Sequence, residues 1–131
     1  MPLLYQCRWE LKGKHADSIT ALSFSKSGQY LASASMDSRL CVWSPNQGAK
    51  FTIEGTAGFI SLAWVDENTL LSGTEDGRLI TVEFSNVLLR VTGFEMHAYP
   101  LECLDVRGNR LATGSHSYVS VWDLVPGVRL D

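Results

Sequence analysis

The feature that most constrains this chain is that it repeats itself. A segment of about forty residues occurs three times: HADSITALSFSKSGQYLASASMDSRLCVWS from His15, GTAGFISLAWVDENTLLSGTEDGRLITVEF from Gly55, and HAYPLECLDVRGNRLATGSHSYVSVWDL from His97. Phe24, Trp64 and Val106 align at intervals of 40 and 42 residues, and Trp43, Val82 and Trp122 at 39 and 40. A fixed period of this kind means one supersecondary unit used repeatedly, each unable to bury its apolar face alone and each leaning on its neighbour.

The local signals inside each unit are those of short strands. Ile19, Thr20, Leu22 and Phe24, then Tyr30, Leu31 and Ala32, then Leu40, Val42 and Trp43 are β-branched, aromatic or apolar, in short runs bounded by turn residues. Turn chemistry sits between the runs at Lys26-Ser27-Gly28, Asp66-Glu67-Asn68 and Arg107-Gly108-Asn109, with Asp76-Gly77 marking a further hairpin. No helix of useful length fits between them, so consecutive strands must pair as an antiparallel, all-β meander. The period is close to the roughly 40–45 residues of a four-stranded propeller blade.

Composition narrows the function classes. With 131 residues, 45% of them apolar and 19% charged, the chain can build a packed core. A formal charge of -3 and scattered Lys and Arg residues give no footprint for a polyanion, so nucleic acid is not the expected partner. MPLLYQCRWELKGK has no secretory apolar run, and nowhere do about 18 apolar residues stand together, so neither export nor a membrane is expected and the setting is cytoplasmic or nuclear. Cys7, Cys41 and Cys103 are odd in number and widely spaced, and read as reduced thiols, mostly core filling.

The order His, strand, LAS or LAT with a small residue, Asp in a tight turn, then VW or VWD resembles WD40 repeats across nearly the whole chain. The resemblance implies a structural tetrad in which a loop His, a strand Ser or Thr, a turn Asp and a strand Trp are hydrogen-bonded within a blade. His15, Ser33, Asp37 and Trp43 match it in full. In the second unit Ser72 and Asp76 match, but Gly55 stands for the His and Val82 for the Trp. In the third His97, Thr113 and Trp122 match, and a shorter turn has His116-Ser117 in place of the Asp. Only Trp122-Asp123 gives the literal dipeptide.

His15, Ser33 and Asp37 are also the residue types of a hydrolase triad. A triad needs an exposed nucleophile and an oxyanion hole, and no G-x-S-x-G turn occurs, so the tetrad reading is preferred and no enzyme is expected. His97 and His116 lack the paired spacing of metal ligands, and no phosphate-binding glycine loop is present, so neither a metal nor another cofactor is expected.

Counting strands gives the expected architecture. Each unit supplies three inner strands, and the outer strands are AKFTIEG at 49–55 and SNVLLRVTG at 85–93. After the third unit only VPGVRLD remains, where Pro126 and Gly127 oppose strand pairing. LYQCRWELKG at 4–13 alternates Tyr5, Cys7, Trp9 and Leu11 on one face and reads as an outer strand with no other use. The units are therefore 15–54, 55–96 and 97–131. Three blades do not close a ring, since propellers use about four to eight. The expected solution is a homodimer of six blades, each N-terminal strand finishing the other copy's third blade, with a segment of a longer chain or a different subunit as the alternatives.

The resemblance implies a platform for partner proteins or peptides on the face bearing the loops that lead into the first strand of each unit and the turns between its second and third strands. Asp17, Met36, Glu75, Tyr99, His116 and Tyr118 fall there by position, and aromatic residues and Met suit interface cores. A glycan-binding propeller would instead repeat exposed aromatics between blades. Trp43, Trp64 and Trp122 sit at inward positions, leaving only Trp9 partly free. An enzyme on this fold would place acids at the central channel, where Ser23, Glu102 and Asp105 are unpaired candidates. The second unit, lacking its His and Trp, is expected to be the looser blade.

Overall fold

The computed structural model describes residues 2–126. Eleven strands are found there: β1 Ile19–Phe24, β2 Leu31–Ser35, β3 Arg39–Ser44, β4 Gly48–Glu54, β5 Phe59–Asp66, β6 Thr69–Thr74, β7 Arg78–Phe84, β8 Leu89–Glu95, β9 Cys103–Arg107, β10 Arg110–Ser115 and β11 Tyr118–Asp123. They form antiparallel meanders β1-β2-β3-β4, β5-β6-β7-β8 and β9-β10-β11. Each meander is one blade, and the inner strands β1, β5 and β9 stand side by side. The third blade has no outer strand among the described residues.

Equivalent registers show how faithfully the unit is repeated. Leu22 pairs with Ser33, Leu62 with Ser72 and Leu104 with Thr113; two residues on, Phe24 pairs with Leu31, Trp64 with Leu70 and Val106 with Leu111. One face of each strand therefore carries the small hydroxyl residue, and the other carries Ala34, Gly73 or Gly114. This alternation follows from the two-residue period of the pleat.

Blades pack face to face around two cores. Ala32, Ala34, Leu40, Val42 and Ile53 of blade 1 meet Phe59, Trp64, Leu70, Val82 and Phe84 of blade 2. Phe84 lies edge-on to Tyr30, Phe51 and Trp64 at 5.4, 5.1 and 6.0 Å between ring centroids, a geometry that aligns positive ring edges with negative faces. Leu71 and Leu79 of blade 2 meet Leu101 and Leu111 of blade 3. Polar ties cross both seams: the Trp64 indole donates to the Ser23 carbonyl at 2.9 Å and the Ser61 hydroxyl to the Leu101 carbonyl at 2.8 Å.

Two expectations change. The second outer strand begins at Leu89 and runs to Glu95, because Ser85 closes a turn first: its hydroxyl accepts from the amides of Val87 and Leu88, and its own amide donates to the Leu88 carbonyl. Residues 4–13, expected as the outer strand of another copy's third blade, join no sheet among this chain's own described residues and are mostly exposed. Of the cysteines only Cys41 fills core, where burial pushes its thiol up; Cys7 and Cys103 are exposed, outside both inter-blade cores. The second blade packs against both of its neighbours, with every residue from Leu70 to Thr74 buried. Gly127 and the residues that follow it lie outside the described residues.

Candidate functional site: the tetrads and the turn face

In the first blade the four expected side chains meet. The Trp43 indole N–H can only donate, and it does so to Ser33 Oγ at 2.9 Å. Ser33 Oγ lies 2.6 Å from His15 Nε2, so its proton goes to that nitrogen, and Nδ1–H is left to face Asp37 at 3.2 Å. The network thus assigns one tautomer to His15. Asp37 also accepts from the amides of Ala16 and Arg39, both at 2.8 Å. Burial pushes the Asp37 carboxyl up, but the Ala16 and Arg39 amides, with His15 and Ser35, outweigh it and hold the group below the usual carboxylate value. Ser33 is 3% exposed with both sides of its hydroxyl engaged, which leaves a substrate no approach to it.

The other blades bring together fewer of their candidates. In blade 3 Thr113 Oγ1 accepts from the Trp122 indole at 3.0 Å and lies 3.3 Å from His97 Nε2, and the His97 ring stands edge-on to Trp122. In blade 2 Ser72 and Asp76 do not meet: Ser72 donates to the Ser61 carbonyl at 2.9 Å, and Asp76 takes the hydroxyl of Thr74. With no indole or imidazole offered to it, the Ser72 hydroxyl is satisfied by the backbone of its own sheet. Thr74 was not singled out in the sequence, although a Thr two residues before Asp in a tight turn is a local signal for this bond.

The candidate binding residues sit in the loops before β1 (Asp17) and β9 (Tyr99), in the turns between second and third strands (Met36, Glu75, His116) and at the start of β11 (Tyr118), and all six are exposed. Tyr99 and His116 stack with ring centroids 4.6 Å apart and planes 20° from parallel. His116 is held there at φ 55°, in the left-handed region that non-glycine residues seldom occupy. Ser115 pins the other half of the stack, donating to the carbonyls of Tyr99 and Pro100 at 3.2 and 2.9 Å. Met36 and Glu75 come together over Gly58, where a Cβ would lie 3.0 Å from the Met36 sulfur and 3.2 Å from a Glu75 oxygen. Asp17 turns back to accept from the Ser18 amide at 2.7 Å.

The rival sites are placed as well. Trp43 and Trp64 are buried and Trp122 half-buried, while Trp9 is exposed on the extended N-terminal segment. Ser23 is half-buried, with its carbonyl taken by Trp64, and Glu102 and Asp105 are exposed on or beside β9. Among the described residues no three His, Cys, Asp or Glu side chains converge on a metal-sized space.

Residues 5–44 match the family model described as WD domain, G-beta repeat. The chain is 26% identical over 123 residues to a WD repeat-containing protein JIP5 from Malassezia globosa, covering 89% of this chain and 29% of that protein. Its fold matches a chain in the crystal structure of a mitotic checkpoint complex with a TM-score of 0.72 at 21% identity, over 81% of this chain and 35% of the other. The chain thus spans about a third of the length of the proteins it resembles, and the likeness to WD40 repeats read from its three units is borne out.

Proposed function

From a chain built of WD40 repeats and folded as propeller blades, we propose a non-catalytic scaffold segment that holds a partner protein or peptide on its turn face, inside the cell and as part of a larger ring. The observation that carries this reading is the Tyr99–His116 stack. Two rings fixed at 4.6 Å, one of them on a backbone conformation that costs of order 1–3 kcal/mol to hold, form a rigid exposed platform. Rigid aromatic groups contribute contact area at little entropic cost on binding. Met36 and Glu75 extend the same face toward blade 1, adding a soft apolar contact and a carboxylate beside it.

Replacing Tyr99 and His116 together by alanine should weaken capture of the partner protein by tenfold or more, since hot-spot aromatics cost 2 kcal/mol or more when truncated. The melting temperature should stay unchanged, because both side chains are exposed. Loss of folding instead would make the stack a structural device and remove the platform.

A further inference from the structure

Charge on the turn face is sorted between an inner part and a rim. The loops entering the inner strands and the ends of the second strands make the inner part; the starts of the third strands, with the outer strands, make the rim. Asp17 precedes β1, and Glu75 and Asp76 follow β6, so three exposed carboxylates lie on the inner part. Each turn is tied to the loop entering its own inner strand: the Met36 amide donates to the Ser18 carbonyl at 3.2 Å and the Glu75 amide to the Gly58 carbonyl at 2.9 Å. The cations go the other way. Arg39 and Arg78, which begin β3 and β7, reach outward to Glu54 and Glu95, their register partners on the outer strands, at 3.5 and 3.9 Å. Lys14 lies on that side as well, near enough to act on the thiol of Cys41, which accepts from Thr52 of β4. Among the described residues no Lys or Arg pairs with Asp17, Glu75 or Asp76.

These carboxylates and the aromatic stack belong to one surface. Gly77, at φ 85°, lies so close to the next loop that a Cβ on it would fall 2.8 Å from the Tyr99 carbonyl oxygen and run into the His97 carbonyl, so only glycine closes the turn there. Glu75 and Asp76 are thus carried on a turn that rests against the backbone of Tyr99, and the Tyr99 ring carries the His116 ring on one of its faces. Met36 closes the other end, beside Glu75 over Gly58. The patch runs across all three blades and combines ring faces, a thioether and carboxylates.

We propose that the partner held on this face offers it a basic side chain, Lys or Arg, seated against the Tyr99–His116 stack with Glu75 as its counter-charge. The inference rests on the scaffold reading above and adds the chemistry of what the scaffold holds. A cation suits both halves of the patch, because ring faces carry the negative end of the aromatic quadrupole and the carboxylate beside them is unpaired. An acidic segment would instead meet Asp17, Glu75 and Asp76 with no cation to offset them, and like charges across an interface cost affinity. A purely apolar segment would cover the Glu75 carboxylate and leave it without a partner. The Arg–Glu pairs of the rim are already satisfied, so the attraction is confined to the inner part and sets where the basic side chain lands.

The test is the fluorescence anisotropy of a labelled peptide of alternating arginine and serine, titrated with the 131-residue chain, beside the same peptide carrying glutamate for arginine. The arginine peptide is expected to bind and the glutamate peptide to stay free. Glu75→Gln should weaken the arginine peptide by about tenfold, and Glu75→Lys should abolish its binding. Glu67→Gln, in the turn between β5 and β6 at the opposite end of the blades, should leave it unchanged. Binding of both peptides alike, of the glutamate peptide alone or of neither overturns the basic partner. A Glu75→Gln chain that binds as the unaltered one does, or equal weakening by Glu67→Gln, reduces the attraction to a diffuse one and overturns the site. None of these results touches the platform itself, which is read separately in capture of the partner protein by the double alanine variant.

Discussion

One hydroxyl organises the best-formed part of this molecule. Ser33 accepts from the buried Trp43 indole and hydrogen-bonds His15 Nε2, whose other ring nitrogen faces Asp37. All four residues could be picked out of the sequence, because a tetrad fixes residue type, order and spacing together. Ser72 could not be placed so well: a serine's bond is decided by which partner is nearest, and without His or Trp the nearest was its own sheet. Asp37 is the member whose contribution depends on pH. Its folded value is held below that of an unfolded aspartate, roughly 3.9, so its contribution is complete above that range and is lost as pH falls through the folded value. Asp37→Asn should therefore cost about 1–3 kcal/mol in urea unfolding at pH 7, the range for leaving buried donors poorly satisfied. The gap to the native chain should close as the pH is lowered below about 4; a gap of constant size would mean that shape, not charge, sets the cost.

Among the elements, β6 shows how a blade survives the loss of its tetrad. Its position after the small hydroxyl residue is Ala34 in blade 1, Gly73 in blade 2 and Gly114 in blade 3, and nothing in the sequence distinguishes the two glycines. The structure does. A Cβ on Gly73 would lie 2.5 Å from the Leu101 carbonyl oxygen and 2.9 Å from the Leu101 Cβ, while a Cβ on Gly114 would meet only the terminal sulfur of Cys103. Leu101 is wholly buried there, and its amide donates to the Thr74 carbonyl at 3.0 Å. The second blade has exchanged internal cement for this close approach to the third, which is why its missing His and Trp did not leave it exposed. Gly73→Ala should lower the unfolding free energy by about 1–3 kcal/mol, the usual cost of forcing atoms into a packed core. Gly114→Ala should cost less than half as much, because a cysteine side chain on an open flank can rotate away. Equal losses in denaturant titrations of the two variants would show that Leu101 is free to move.

At the scale of the whole molecule, the fold was legible because period, turn chemistry and strand propensity all pointed to the same blade. The candidate binding face was legible only as a set of loop and turn positions. The stacking of Tyr99 on His116 depends on a backbone torsion that no residue pattern announces. The flanks fall between these cases: Val119 and Val121 look like ordinary strand residues until their exposure is set against Leu40 and Val42 at the same register.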